Sequence, residues 1–296
     1  GQSFSNSLPY PLLTVSWVLR LDFSTETVTD NSKYMQSARR NAGSSSSNYY
    51  GYFAGGLTPS ATQGIERIDF TTEFFTALSN SLPSTRSGLA GFQNNSYGYF
   101  SGGSGPSPII NTITRLDFSN ETVSNPGKDL PASTTSHATI SSSSYGYTGG
   151  GDASGLTNVV RRFDFSNETL STPGKNLPST GIYQFATTSN NFYGYFGGGK
   201  TSLIYVCEIT RLDFSSETIS SPGKNLPAAK DQLSGTSSNF YGYFGGGYFT
   251  PAATYYNVVT RLDFSTENTS NITSQFTGGG IASGTKLNAA TVSNSN

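Results

Sequence analysis

Cysteine, histidine, methionine and tryptophan are almost missing from this chain of 296 residues, which holds one of each. A single cysteine, Cys207, excludes an intrachain disulfide and a cysteine-based zinc cluster. A single histidine, His137, excludes a three-histidine metal centre. Charge is scarce as well: 12% of residues are Asp, Glu, Lys or Arg, against about a quarter in ordinary globular domains. With 17 basic and 18 acidic residues the formal net charge is −1, which gives no basic face for nucleic acid. No apolar run approaches the ~18 residues of a membrane span; the longest candidate, around Leu12–Leu19, is broken by Thr14 and Ser16. No P-loop or dinucleotide fingerprint is present, because the glycine runs precede strands and turns instead of a helix. The chain opens on Gly1 with no visible signal peptide, as a processed form or a fragment would.

What is abundant is repetition. Y-G-Y-F followed by glycines stands at Tyr241–Gly247, with near copies from Tyr50, Tyr97, Tyr145 and Tyr193. R-[LIF]-D-F occurs six times, starting at Arg20, Arg67, Arg115, Arg162, Arg211 and Arg261, so the period is 47 to 50 residues. A glutamate follows each copy: Glu26, Glu73, Glu121, Glu168, Glu217 and Glu267. Three copies continue to P-G-K-[ND]-L-P. A glycine- and aromatic-rich period of this length predicts a propeller blade of four strands. In R-L-D-F the apolar pair shares one strand face and Arg and Asp share the other, so each Asp is expected to pair with the Arg two residues earlier. Ser-Asn-Glu-Thr reads as a turn. Y-G-Y-F reads as an inner strand, its aromatics packed against neighbouring blades and its glycines allowing close approach. No segment reads as a helix.

The arrangement resembles the kelch repeat. The matching residues are the diglycines at Gly55, Gly102, Gly149, Gly197 and Gly245, the Asp of each R-L-D-F, and Arg39 and Arg86 for the family's arginine. Thr134, Thr180 and Lys230 stand at or near that arginine position in other units, and the family's tryptophan is absent. The expected fold is an all-β, six-bladed kelch-like β-propeller with four antiparallel strands per blade. It forms a single domain over 1–296. Blades are expected at 36–80, 84–125, 133–173, 180–221 and 229–273, with one more built from 281–296 plus 1–31. Five Y-G-Y-F copies accompany six R-L-D-F copies, and Ser3–Asn6 occupies the vacant slot. The C-terminal strand is therefore expected to pair beside the N-terminal one and close the ring.

Chemistry is thin. Outside the repeat the acids are Asp30, Glu66, Asp129, Asp152, Glu208 and Asp231, scattered over different units. No G-x-S-x-G nucleophile elbow accompanies His137, which reads as a loop or channel-rim residue. Cys207 reads as an inert strand residue within Leu203–Ile209. No catalytic residue, metal or cofactor is expected. The repeat residues Arg115, Asp117, Phe118, Glu121, Tyr241, Gly242, Tyr243 and Phe244 are assigned to structure. The glycosylation pattern at Asn94, Asn120, Asn167, Asn268 and Asn271 arises easily in so polar a sequence. The units differ most between the glycine run and the next R-L-D-F. There the candidate interface residues are Tyr10, Ile109, Ile110, Tyr205, Tyr248, Phe249, Tyr255 and Tyr256.

The phrases R-L-D-F-S-N-E-T, P-G-K-N-L-P and Y-G-Y-F-G-G-G resemble repeat proteins of marine bacteriophage virions, including those of cyanophages. That resemblance implies a structural or adhesive protein on a virion surface or outside the cell. Its expected partners are other subunits, its own or those of the virion, or a cell-surface glycan, without nucleic acid or membrane insertion. A lectin is the alternative, and a carbohydrate-active enzyme at the axial mouth a more distant one.

Overall fold

The computed structural model describes residues 15–105, 109–179, 181–252, 254–275 and 291–293. The chain begins with a two-stranded antiparallel sheet, β1 (Val15–Asp22) and β2 (Thr27–Arg39). The first blade follows: β3 (Gly43–Ser46), β4 (Tyr50–Ala54), the small hairpin β5 (Leu57–Thr58) and β6 (Ser60–Ala61), then β7 (Ile65–Asp69) and β8 (Phe75–Ala77), with sheet order β3-β4-β7-β8. The second blade is β9 (Ala90–Gln93), β10 (Tyr97–Ser101), β11 (Ile113–Asp117) and β12 (Val123–Ser124). The third is β13 (Ala138–Ser141), β14 (Tyr145–Gly149), β15 (Val160–Asp164) and β16 (Thr169–Ser171). The fourth is β17 (Ala186–Ser189), β18 (Tyr193–Gly197), β19 (Ile209–Asp213) and β20 (Ile219–Ser220). The fifth is β21 (Asp231–Ser237), β22 (Tyr241–Phe249), β24 (Val258–Asp263) and β25 (Thr269–Gln275), with β23 (Thr254–Tyr255) added along β22. One 3-10 turn, Thr250–Ala252, is the only helical segment among the described residues.

The result is an all-β propeller of repeated four-stranded blades, but among the described residues their number is five, not the expected six. Counting R-L-D-F copies overcounts blades. The first copy forms β1, whose only strand partner among the described residues is β2. This two-stranded sheet packs Leu19, Leu21, Phe23 and Val28 against Tyr243, Val259 and Ile272 of the fifth blade. On its other side the N–H groups of Gln36 and Ser37 donate to the Glu66 carboxylate of the first blade at 2.7 and 3.1 Å. The expected closure by the N-terminal strand falls on residues 1–14, outside the described residues. Thr291–Ser293 lie between β21 and β3, where Ser44 Oγ donates to Thr291 O at 2.7 Å and Thr291 Oγ1 donates to Gly235 O.

Y-G-Y-F is the second strand of each blade, and the Ser/Thr-rich stretch before it is the innermost. The ring is narrowest at the axis, so only small side chains fit there. A Cβ on Gly91 would sit 2.0 Å from Ser44 O, and one on Gly235 would sit 2.0 Å from Thr187 O. Where a hydroxyl does fit, it joins neighbours: Thr139 Oγ1 donates to Gly91 O at 2.6 Å and Thr187 Oγ1 to Thr139 O at 2.7 Å. A backbone belt runs parallel to this. The N–H groups of Gly88, Ser136, Gln184 and Gln232 donate to the carbonyls of Asn41, Gly88, Ser136 and Gln184, respectively, at 2.8 to 3.1 Å. All five residues have φ between 55° and 67°.

Each pair of neighbouring blades is clasped by the same four side chains. Between the second and third, Arg115 Nη1 and Tyr99 Oη donate to Glu168 Oε1 at 2.9 and 3.0 Å, and Phe165 stacks on Tyr99 with centroids 5.5 Å apart. Tyr52, Arg67, Glu121 and Phe118 repeat this, as do Tyr147, Arg162, Glu217 and Phe214, then Tyr195, Arg211, Glu267 and Phe264. Tyr243 and Arg261 make the same clasp with Glu26 and Phe23 of the two-stranded sheet. Each Arg also lies over the first tyrosine of its own Y-G-Y-F, at 4.4 to 4.8 Å. Burial, reinforced by the carboxylate, pushes each clasped tyrosine above its ordinary pKa. The expected Arg–Asp pairing is therefore corrected: the arginine reaches the glutamate of the next unit. The aspartate caps its own turn, as Asp117 does by accepting from Ser119 N at 2.8 Å and Ser119 Oγ at 2.6 Å. The strand ends at Asp117, so face alternation no longer governs its side chain. The diglycine is a second joint. Gly102 and Gly103 have φ of 61° and 103°, a conformation L side chains rarely adopt, and Gly103 N donates to Thr134 O of the next blade at 2.8 Å.

Candidate functional site

In every blade the connection from second to third strand emerges at the same end of the disc, because the blades are equivalent and antiparallel. On the fourth and fifth blades these connections bring aromatic residues together. Tyr205 and Phe249 meet edge to face at 5.1 Å, and Tyr248 and Tyr255 pack at 4.5 Å. The Tyr205 hydroxyl shares a hydrogen bond with Thr250 Oγ1. The Lys200 ammonium lies 5.5 Å from the Tyr183 ring and 5.3 Å from the Tyr205 ring. Next to Tyr205 the tight turn at 201–204, closed by Thr201 N donating to Ile204 O at 2.8 Å, exposes Leu203 by 90% and Ile204 by 61%. An aliphatic tip beside packed aromatic rings is a contact surface with little charge and little freedom to lose.

Near this patch lie two buried charged groups, Lys230 and Asp231. Lys230 Nζ has no hydrogen-bond partner among the described residues and sits 5.1 Å from the Tyr256 ring; burial lowers its ammonium to about 8. Asp231 Oδ1 also lacks a partner among the described residues, and burial raises its carboxyl to about 6.

Five of the eight candidate interface residues, Tyr205, Tyr248, Phe249, Tyr255 and Tyr256, thus belong to the fourth and fifth blades. Ile109 and Ile110 lie two blades from Tyr205, where Ile110 N donates to Gly103 O at 2.9 Å; they are not part of the cluster. Tyr10 falls outside the described residues. Of the repeat residues, Arg115, Phe118, Glu121 and Tyr243 form clasps, Asp117 caps a turn and Tyr241 lies under Arg261. Phe244 is fully buried, and Gly242 leaves room for Thr188, whose Cγ2 would be 2.4 Å from an added Cβ.

His137 is buried inside the propeller, where its Nε2 and Ser101 Oγ share a hydrogen bond of 2.8 Å. Burial, with Arg161 and Arg86 nearby, lowers the imidazole to about 3, which keeps it neutral. Ser101 has no exposed surface, and no carboxylate bonds His137 among the described residues. Cys207 lies just before β19, not within a strand; it is half-buried, and burial raises its thiol. Among the described residues no three His, Cys, Asp or Glu side chains gather as a metal site would require.

Two features escaped sequence reasoning. The residue before Y-G-Y-F is aromatic in three units, and Tyr49, Phe192 and Phe240 are 70% to 74% exposed at the end opposite the loop cluster. The contrast of Y-Y-G-Y-F and F-Y-G-Y-F with S-Y-G-Y-F was the available signal. Along the axis, the innermost strands enclose a well of about 460 Å3 lined by hydroxyl and amide side chains such as Ser44, Gln93, Thr139 and Thr236. No described residue lining it is charged. No protein-family model matches the chain, and a search of curated proteins returns no match.

Proposed function

We propose that this chain is a non-enzymatic structural and adhesive propeller, displayed on a virion or outside the cell, acting in assembly or receptor binding through its loop surfaces. The observation that carries this reading is the exposed Leu203–Ile204 tip set beside the Tyr205–Phe249 pair. Apolar and aromatic groups held in a fixed geometry match the core of a protein–protein contact. The charge-poor surface and the resemblance of the repeat phrases to marine phage repeat proteins support the location.

Electron microscopy of the native material, beside material carrying Leu203→Asp and Ile204→Asp together, tests this. Discs joined in a particle or filament are expected for the wild type and separate discs for the double variant. Separate discs in both would sink the reading. A lectin is the second reading, favoured by the uncharged, hydroxyl-lined axial well. A glycan array without a hit would remove it.

A further inference from the structure

One position inside each blade is occupied by the residue just before the inner strand. It is identified by its carbonyl, which accepts the second diglycine N–H of the preceding blade: Arg86 from Gly56, Thr134 from Gly103, Ile182 from Gly151 and Lys230 from Gly199, at 2.7 to 2.8 Å. Arg39 fills the equivalent place in the first blade. The fourth-blade residue is thus Ile182, not the expected Thr180, which falls outside the described residues.

In the first two blades this residue buries a guanidinium in a cradle of fixed acceptors. Arg86 Nη1 donates to Gly102 O and Thr112 O at 3.2 and 3.1 Å, and its Nη2 donates to Thr114 Oγ1 at 2.5 Å. Arg39 Nη1 donates to Gly55 O and Gly64 O at 3.1 and 3.2 Å, and its Nη2 donates to Glu66. The third blade has Thr134 here and instead carries a buried Arg161 at the third-strand position of Glu66 and Thr114. The fifth blade buries Lys230. Every blade but the fourth therefore holds a cation in its interior.

The fourth blade keeps the cradle without the cation. Register places Gly198, Glu208 and Thr210 where Gly102, Thr112 and Thr114 stand, and Gly198 N bonds Glu208 O at 3.1 Å just as Gly102 N bonds Thr112 O at 3.1 Å. All three residues line a cavity of about 210 Å3, together with Ile182, Phe185, Phe196 and Val206. The cavity is several times the ~30 Å3 share of one water. Among the described residues lining it there is no Lys or Arg and one carboxylate, Glu208. Two carbonyls and a hydroxyl at the end of an apolar slot suit a flat cation on a methylene stem.

We propose that this cavity is a binding site for an alkylguanidinium group, either free or as an arginine side chain of a partner. The site is separate from the loop surface of the preceding section, and the two readings stand or fall independently. Isothermal titration of the full chain with n-propylguanidinium chloride is expected to give saturable binding at one site. The ammonium and urea analogues, which lack the charged fork, are expected to bind at least tenfold more weakly. Ile182→Arg supplies the group in cis and should abolish binding while raising Tm. Thr210→Val should weaken binding about tenfold, the loss of one hydrogen bond to a charged group. Arg86→Ala should open an equivalent cradle in the second blade and raise the count to two. A parallel titration with the peptide Gly-Arg-Gly separates the sources. Binding of the peptide as well supports a side chain entering from a partner, and binding of propylguanidinium alone supports a free ligand. No saturable binding by the wild type, equal binding of the urea analogue, or undiminished binding by both Ile182→Arg and Thr210→Val would overturn the assignment.

Discussion

The junction between the second and third blades and the junction between the β1–β2 sheet and the first blade use the same arginine and glutamate in different surroundings. At the first, Arg115 is 30% exposed, lies over Tyr97 and shares Glu168 with the buried Tyr99. At the second, Arg20 is 55% exposed and meets Glu73 at 3.1 Å. Phe70 lines a cavity of about 230 Å3 together with Leu19, Phe53 and Ile68. An exposed ion pair contributes about 0–1 kcal/mol. A buried stacked ring contributes several times that through area, with about 0.5–1.5 kcal/mol more from its geometry. The ion pair is common to both joints, and at the second–third junction the buried Tyr99 ring adds most of the strength.

Removing the ring should have the largest effect. Tyr99→Ala is expected to cost about 3–5 kcal/mol in urea unfolding, as other aromatic truncations in a core do. A loss below about 1 kcal/mol would mean that the stack carries little. The carboxylate comes next. Glu168→Ala strands both the Tyr99 hydroxyl and the Arg115 guanidinium and should cost about 2–3 kcal/mol, whereas Arg20→Ala, which removes a 55% exposed ion-pair partner, should stay within about 1 kcal/mol. Equal losses from the two would erase the contrast between the joints. A finer comparison uses the backbone. Glu168 has φ 55°, so Glu168→Gly should be less harmful than Glu168→Ala by about 1 kcal/mol, even though both lose the carboxylate. The smallest effect is expected from acid. The turn-capping carboxylates, Asp22 at about 2 and Asp117 and Asp164 also lowered, accept first from the side chains of Ser24, Ser119 and Ser166. Because their folded values are depressed, the stability they give is complete above the unfolded value near 4 and fades as pH falls toward 2. Tm measured between pH 5 and pH 2 should decline over that window and decline less in Asp117→Asn. An identical decline in the variant would remove Asp117 from the account.

These joints also show what sequence could and could not reveal. The period was plain, because R-L-D-F, Y-G-Y-F and the glycines repeat at nearly constant spacing. The turn glutamates were visible as residues but not as partners, since Arg115 and Glu168 are 53 positions apart and only ring geometry joins them. Alternation misled at Asp117 because the strand stops there. Phrase counting gives six blades because the first R-L-D-F copy keeps the clasp residues Phe23 and Glu26, while among the described residues it forms a two-stranded sheet. The loop cluster was foreshadowed by aromatic residues in the most variable connections, but nothing in the chain ties Tyr205 to Phe249 before the fourth and fifth blades are set side by side. The empty cradle was hidden by a two-residue misalignment between Thr180 and Ile182, which only the backbone bond from Gly151 resolves.

The belt of N–H groups reaching back from Gly88, Ser136, Gln184 and Gln232 has an electrical consequence. Each bond is a dipole set tangentially, and all four run in one rotational sense. Arrows that circulate about a centre nearly annul one another there, so the mouth of the well gathers many polar groups yet creates almost no field along its length. With no ionised residue on the described walls below, whatever lodges in the well is selected by outline and by matching of hydroxyls, and the selection should persist at high ionic strength.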